Sequence, residues 1–301
     1  MTALVHLGSG IGNIVFATPL LVALDEMGIA VDVLLDADYP ETASLFDGWR
    51  AVRRVVRRLE GTYDFAIPAL PPFYWPRRAR KYAGHVLRRP PASLFERDEQ
   101  AFYLDFAKQL GYEPANAPAI TLPVAPAPHA GVSAATVILA PGSKTGEMTA
   151  KRWPWFAELA GRLSDVVVAG TEDDSTSHRG LRWDWPGHAR VMLGKLSLRE
   201  TAEMLAAAGV VVANDTGLAY VAAAVGTPVV ILYGPTPAAE LGALPPYVRQ
   251  VRPNLPCAPC WRGARLQACC GRLTCLEEIS VGMVLKEMDA VWGEAPAAAA
   301  P

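Results

Sequence analysis

Cysteine is missing from almost all of this chain. All five cysteines, Cys257, Cys260, Cys269, Cys270 and Cys275, fall in one short stretch. A disulfide framework would be spread along a secreted chain, so the clustering argues for a local thiol or metal site. Charge is also scarce. Charged residues are 19% of the 301, and they nearly cancel to a formal net charge of -2. A dedicated nucleic-acid binder is usually strongly basic, so nucleic acid is not an expected partner. Long apolar runs are lacking too: no stretch approaches the roughly 18 uncharged apolar residues that cross a bilayer. No positive residue precedes the first apolar run, so the start reads as a strand rather than a secretory signal, and the expected location is cytoplasmic.

What is present is apolar and regularly punctuated. Hydrophobic residues make up 51%, enough for two cores in a chain of this length. Ala3-Leu-Val-His-Leu7 is an apolar run closed by Gly8-Ser-Gly-Ile-Gly12, after which Ile14, Ala17, Leu20, Leu21 and Leu24 recur at helical spacing. Val31–Leu35 is β-branched and reads as a buried strand, with weaker strands at 52–56 and 64–67. Strand–helix–strand alternation predicts a parallel sheet. Residues 71–97 break the pattern with Phe73, Tyr74 and Trp75 followed by Arg77, Arg78, Arg80 and further arginines. A helix is expected over 98–110.

The prolines of 122–128 read as a linker, which puts the boundary between domain 1–125 and domain 126–293 there, with a disordered tail at 294–301. The alternation then restarts. Strands are expected at 136–140, 165–169, 210–213 and 229–232. Helices are expected at 153–163, 197–208, 216–225 and 280–292. Ser197 with Glu200 three residues on forms a capping box.

Several constellations carry chemistry. The Gly8–Gly12 loop follows a strand and opens a helix, which suits either a tight turn or an anion, and Asp36 and Asp38 leave a dinucleotide site open as an alternative. Asp215-Thr216-Gly217 stands between a strand and a helix, where backbone N–H groups meet the positive end of the helix dipole. Asp215 there is either a helix cap or an acceptor for sugar hydroxyls. Lys151, at a helix start, is either a plain surface lysine or, because a cation there opposes the dipole, a contact to a ligand. The basic stretch is either a solvated face or a surface for an acidic acceptor, with the aromatics suited to sugar stacking or membrane contact. Cys257, Cys260, Cys269 and Cys275 offer four thiolates to zinc or iron, with Cys270 competing for one position; the alternative is a reduced, metal-free loop.

The segment Asn214–Thr236 resembles the donor-site motif of family 9 glycosyltransferases, the heptosyltransferases: Asp-Ser/Thr-Gly-x-x-His-x-Ala-Ala-Ala-x-Gly-x-Pro. Three further stretches resemble the family in order: Gly10-Ile-Gly-Asn13 with Pro19, then Pro141-Gly-Ser143 with Lys151-Arg-Trp-Pro154, then Gly170-Thr-Glu172. The resemblance implies an α/β GT-B fold, two Rossmann-like domains with parallel sheets facing a central cleft. It implies an inverting, metal-independent transferase moving a heptose-like sugar from a nucleotide-diphosphate donor, ADP-linked, in lipopolysaccharide biosynthesis. The acceptor would be a glycan, lipid-linked or protein, with peripheral contact at the inner membrane face. Lys151, Ser143, Thr216 and Gly217 would then hold the diphosphate, Glu172 the ribose, Leu196 the base and Asp215 the sugar, while Gly12, Asn13, Arg77, Arg78 and Arg80 would serve the acceptor. A related group of protein heptosyltransferases carries an iron-binding finger where the cysteines lie.

Two positions depart from the pattern. Asn13 replaces the aspartate proposed as general base, and an amide takes up no proton at neutral pH. Tyr220 replaces the histidine of the donor motif. A nucleotide-sugar-binding pseudoenzyme and a nucleotide-sugar epimerase are the alternative readings.

Overall fold

The computed structural model describes the chain except residues 9, 36–39, 70–77, 89–97, 145–150, 178, 238–241, 263–264, 267–273 and 293–301. The chain divides into two compact units. One comprises Met1–Pro123 with Ala239–Ala243, and the other Val124–Ala238 with the chain from Leu244 onward.

The first unit is a five-stranded sheet. Its strands are β1 (Thr2–Leu7), β2 (Ala30–Leu35), β3 (Arg54–Val56), β4 (Tyr63–Pro68) and β5 (Ala83–Val86), in spatial order β3-β2-β1-β4-β5. Every pairing is parallel. The middle strands are mostly apolar because parallel strands are covered on both faces, with His6, Asp32 and Asp64 as the exceptions. The strand β5 lies within the basic stretch that sequence reasoning left without a strand. It is a half-exposed edge strand, Ala-Gly-His-Val, whose short mixed pattern carries little signal. The helical pattern after β1 resolves into two pieces, Ile11–Phe16 and Thr18–Glu26, and the later helix runs over Glu99–Lys108.

The second unit holds β6 (Val137–Ala140), β7 (Val166–Val168), β8 (Arg190–Val191), β9 (Val210–Asn214), β10 (Val229–Leu232) and β11 (Val248–Val251). All pair in parallel, in the order β11-β10-β9-β6-β7-β8. Counting β6 as first, this is the 3-2-1-4-5-6 order of dinucleotide-binding folds. Its switch point, where such sheets bind ligands, falls between β6 and β9 at their C-terminal ends. The helix Leu198–Ala207 begins with the capping box expected from Ser197 and Glu200. The helix expected over 153–163 is shorter, Phe156–Gly161, because Pro154 and the contacts of Lys151–Trp153 hold the preceding residues out of it. Phe156, Leu159, Val284, Met288 and Val291 from the flanking helices pack with Val137, Val212, Val230 and Leu232 of the sheet.

A buried carboxylate lies within the sheet of the first unit. Asp32, in mid-β2, is buried, and accepts hydrogen bonds from Arg53 Nε (2.7 Å), Arg54 Nε (2.8 Å) and the Tyr63 hydroxyl (2.8 Å). Burial alone would push its carboxyl up. The hydrogen bonds from Arg53, Arg54 and Tyr63, with the nearby charge of Arg53, outweigh this and hold it below the usual carboxylate range. A folded value below the unfolded one stabilises above the ordinary carboxylate pKa, and that contribution is lost as pH falls through the folded value. Acid denaturation of the wild type is therefore expected to steepen below about pH 4. In Asp32→Asn the protein is expected to be less stable at pH 7 and to lose less on acidification. Parallel acid limbs for the two proteins would exclude Asp32 as a source of the transition.

Candidate functional site

Three glycine turns converge at the C-terminal ends of β6, β7 and β8. A Cβ at Gly142 would overlap the Asp174 carboxyl, one at Gly170 would come 2.7 Å from Asp174 Oδ2, and one at Gly194 would come 2.6 Å from Glu172 Cγ. Only glycine lets these turns close on the short 3₁₀ segment Glu172–Ser175. Asp174 is the hub: Oδ2 accepts from the Thr171 N–H (2.8 Å) and hydroxyl (3.0 Å), and the carbonyl accepts from Trp183 Nε1 (3.0 Å). Thr171 is the N-cap of this segment, and Asp174 is its partner in a capping box.

Arg152 closes the arrangement. Its side chain is 1% exposed, and each nitrogen has work. Nε donates to Ser143 Oγ (3.1 Å), Nη1 to the Thr176 carbonyl (2.8 Å) and hydroxyl (3.2 Å), and Nη2 to the Ser143 carbonyl (3.2 Å) and Asp174 Oδ1 (3.0 Å). A planar guanidinium serves such separated acceptors where a point ammonium does not. On the other side, Asn214, at the end of β9, is fully buried. Its amide donates to the carbonyls of Pro141 (2.6 Å) and Gly142 (3.2 Å) and accepts from the Trp153 N–H (2.9 Å). The backbone on either side of Lys151–Arg152 is thus tied to the ends of β6 and β9, and Trp153 Nε1 anchors to the Ile279 carbonyl (2.8 Å).

Lys151 is held at this switch point by an ion pair with Asp215 Oδ2. Asp215 Oδ1 accepts from the Tyr220 hydroxyl, which lies 3.1 Å from that of Tyr233. Burial pushes the Asp215 carboxyl up, but the adjacent Lys151 charge, with hydrogen bonds from Lys151, Tyr220 and Thr236, holds it below the usual range. Burial, and then the Asp215 charge, push both tyrosines well up, so both stay protonated. The arrangement presents an ammonium, 14% exposed, at the mouth of a parallel sheet, beside a helix (Gly217–Ala224) whose first turn the Thr216 side chain does not cap. Chemically, that is a place for an anionic group.

The residues expected from sequence fall out as follows. Ser143, Lys151, Glu172, Asp215, Thr216 and Gly217 all stand at the C-terminal ends of the second sheet. Asp215 is the buried counter-charge of Lys151, with both carboxylate oxygens engaged. The Ser143 hydroxyl serves Arg152 and the Lys144 carbonyl (3.3 Å). Glu172 is exposed, and Leu196 is half-buried next to the helix cap at Ser197. In the first unit, Gly12 lies inside the helix Ile11–Phe16 rather than in a loop, and Asn13 Nδ2 donates to Glu99 Oε1 (2.6 Å). Arg78 and Arg80 are exposed; Arg77, Phe73, Tyr74, Trp75, Asp36 and Asp38 lie outside the described residues.

Of the cysteines, Cys257 is exposed, Cys260 half-buried and Cys275 buried, while Cys269 and Cys270 lie outside the described residues. Among the described residues no group of three or more His, Cys, Asp or Glu could hold a metal ion. The expected zinc or iron site therefore has no ligand set there.

Sequence reasoning missed Arg152, Asp174, Asn214 and Tyr233. Arg152, Asn214 and Tyr233 each sit beside a residue it had singled out or at the end of a strand it had placed; Asp174 lies two residues beyond Glu172.

Arg152→Met is expected to destabilise the protein by about 3–5 kcal/mol, because it leaves the Asp174 carboxylate buried without its cation. Arg152→Lys is expected to recover only a part, since one ammonium cannot span Ser143, Asp174 and Thr176. Urea denaturation measures both, and an Arg152→Met variant within 1 kcal/mol or so of wild type would contradict the clamp.

The family model described as glycosyltransferase family 9 (heptosyltransferase) matches residues 100–269. Lipooligosaccharide heptosyltransferase 2 of Haemophilus influenzae is 37% identical over 106 residues, which is 32% of this chain. The match takes in only 30% of that relative's own length. Among solved structures, a family 9 glycosyl transferase from Veillonella parvula aligns with a TM-score of 0.73 at 16% identity over 97% of both chains. The E. coli ADP-heptose lps heptosyltransferase II aligns with a TM-score of 0.69 at 20% identity over 98% of this chain and 99% of that one. At such identities the likeness is one of fold, the GT-B class with its two parallel-sheet α/β domains. The family model covers more than half of the chain, and the protein belongs to glycosyltransferase family 9.

Proposed function

We propose that this protein transfers a heptose-like sugar from an ADP-linked donor to a glycan acceptor of the lipopolysaccharide type, with inversion at the sugar carbon. The observation that carries the reading is the Lys151–Asp215 pair at the switch point of the second sheet. In such a transfer an acceptor hydroxyl attacks the anomeric carbon, the bond from that carbon to the diphosphate breaks, and a nucleoside diphosphate leaves with the electron pair and takes up the hydroxyl proton. The negative charge that grows on the leaving group is what a fixed ammonium stabilises, without a metal ion. Asp215 orients Lys151, and Tyr220 and Tyr233 keep Asp215 in place. Ser143 and the backbone at Gly217 add donors, and Glu172 on its exposed turn suits a ribose.

The acceptor belongs with Gly12, Asn13 and the arginines Arg77, Arg78 and Arg80, whose charge favours a phosphorylated or lipid-linked glycan over a neutral one. A protein acceptor and contact with a membrane surface are further uses of the same basic stretch. Among the described residues no helix is long and apolar enough to cross a membrane. Zinc or iron at the cysteines would serve the loop's structure rather than the transfer. Asn13 favours one second reading, nucleotide-sugar binding without transfer, and turnover decides between the two.

Calorimetry with ADP tests the site directly. A charge-assisted hydrogen bond is worth about 1.5–3 kcal/mol, so Lys151→Met is expected to weaken ADP binding roughly ten- to hundredfold. The double variant Lys151→Met/Asp215→Asn removes the stranded buried carboxylate and controls for folding; it is expected to bind as weakly as the single variant. Because Asp215 stays ionised well below neutrality, wild-type affinity is expected to hold steady from about pH 5 to 8, the range in which a histidine at position 220 would titrate. Undiminished affinity in Lys151→Met would remove the lysine from the site.

A further inference from the structure

The second unit carries a pocket that the donor reading leaves unused. It holds about 400 Å³ and is lined by Pro154, Trp155 and Ala157, by Ser177, Arg179 and residues 181–184, and by Glu277. Its walls are pinned together at Glu277. Trp155 Nε1 donates to the Glu277 carbonyl (3.2 Å), and Arg179 Nη2 pairs with the Glu277 carboxylate. Trp183 is fixed by the bond from its Nε1 to the Asp174 carbonyl (3.0 Å) and by Phe156, whose ring meets it edge-on at 6.1 Å. The turn between is closed on itself: the Ser177 N–H donates to the Leu181 carbonyl (2.8 Å), and the Gly180 N–H to the Ser177 carbonyl (3.0 Å).

Two kinds of group meet in this pocket. Trp155 is 40% exposed and Leu181 66%, two of the five large apolar side chains exposed among the described residues. Beside them stand Arg182 and Asp184, both exposed, and among the described residues no hydrogen bond or ion pair engages either side chain.

The chemistry of the walls selects an occupant. Among the described lining residues two guanidiniums, Arg179 and Arg182, balance two carboxylates, Asp184 and Glu277, so nothing favours an anion over a neutral molecule. A guanidinium only donates and a carboxylate only accepts. A ligand that uses both at close spacing carries groups that donate and accept at once, and a hydroxyl is the simplest of these. The indole and the leucine ask for an apolar face as well. A sugar ring has both, with C–H groups on its faces and hydroxyls around its edge. A wholly apolar ligand would strip water from the charged side chains and return no hydrogen bonds. An extended peptide would pair with free backbone, which this turn spends on itself. A protein face needs about 800 Å² on each side, whereas the pocket has the size of a small-molecule site, roughly 300–1,000 Å³.

We propose that this pocket binds a neutral pyranose ring, packed against Trp155, with its hydroxyls shared between Arg182 and Asp184. Because Leu181, Arg182 and Asp184 are exposed, the pocket opens to solvent, and the ring can belong to a longer glycan. The site shares no residue with the Lys151–Asp215 pair, and binding there does not depend on the transfer reading.

The probes are methyl α-mannopyranoside, methyl α-glucopyranoside and maltotriose, with mannose 6-phosphate as the charged counterpart. Binding is followed by calorimetry and by the Trp155 indole N–H resonance, assigned by its absence from Trp155→Ala. At least one neutral probe is expected to bind saturably in the millimolar range and to shift that resonance. Trp155→Ala and the double variant Arg182→Ala/Asp184→Ala are each expected to weaken it roughly tenfold or more. ADP affinity is expected to be unchanged in both, which also reports that the second unit is folded. Should Trp155→Ala fold poorly, the exposed double variant decides. No saturation by any neutral probe below roughly 100 mM would overturn the proposal. So would neutral binding that survives the double variant, or mannose 6-phosphate binding more tightly than the neutral sugars through the same residues. Absence of ADP binding in the wild type would count against the donor reading alone.

Discussion

The ion pair of Lys151 with Asp215 is the constraint around which the second unit is arranged. Two charges taken out of water cost several kcal/mol each, and their attraction offsets that only when the remaining hydrogen-bonding capacity is met. Here it is met by neighbours that do little else. The Tyr220 hydroxyl satisfies the second oxygen of Asp215, and Tyr233 backs Tyr220 under the guanidinium of Arg252, 5.6 Å from the ring centre. Asn214 fixes the backbone one residue before Asp215 and two residues after Lys151 with one amide. The neighbouring pair, Arg152 with Asp174, does the same for the turns after β6 and β7. The local sequence follows from these needs: glycine at 142, 170 and 194, where no Cβ fits, and an arginine rather than a lysine at 152.

Comparable logic governs the first unit on a smaller scale. Asp32, buried within its sheet, is matched by two arginines and a tyrosine and ties β2, β3 and β4 together. Glu99 accepts from the Asn13 amide and the Tyr103 hydroxyl and joins the helix Glu99–Lys108 to the helix Ile11–Phe16.

Much of the fold was legible in the sequence because parallel strands buried on both faces are continuous apolar runs. Val137–Ala140, Val210–Asn214 and Val229–Leu232 are almost pure Val, Ile, Leu and Ala. The capping box at Ser197 and Glu200 was legible for a local reason, since both of its hydrogen bonds lie within one turn. The edge strands β5 and β11 were not, because Ala-Gly-His-Val and Val-Arg-Gln-Val each pair along one side only and carry mixed residues. The helix expected from Trp153 begins three residues later because its first residues are tied to Asn214 and Ile279, contacts 61 and 126 positions away. The same distance hides the site's internal partners. Lys151 and Asp215 each stood out by local pattern, but nothing local says that they meet. Glu99 stood in a helix with an ordinary amphipathic sequence, 86 positions from Asn13, and only the packing of the two helices joins them.

The central claim is that a nucleoside diphosphate sits at the switch point of the second sheet with its phosphates on Lys151. A crystal structure of the protein soaked with ADP tests it most directly. The account predicts diphosphate oxygens within hydrogen-bond distance of Lys151 Nζ and of the backbone at Gly217, with the ribose towards Glu172. Diphosphate bound instead at the Gly8–Gly12 turn of the first unit, with Lys151 untouched, would contradict it.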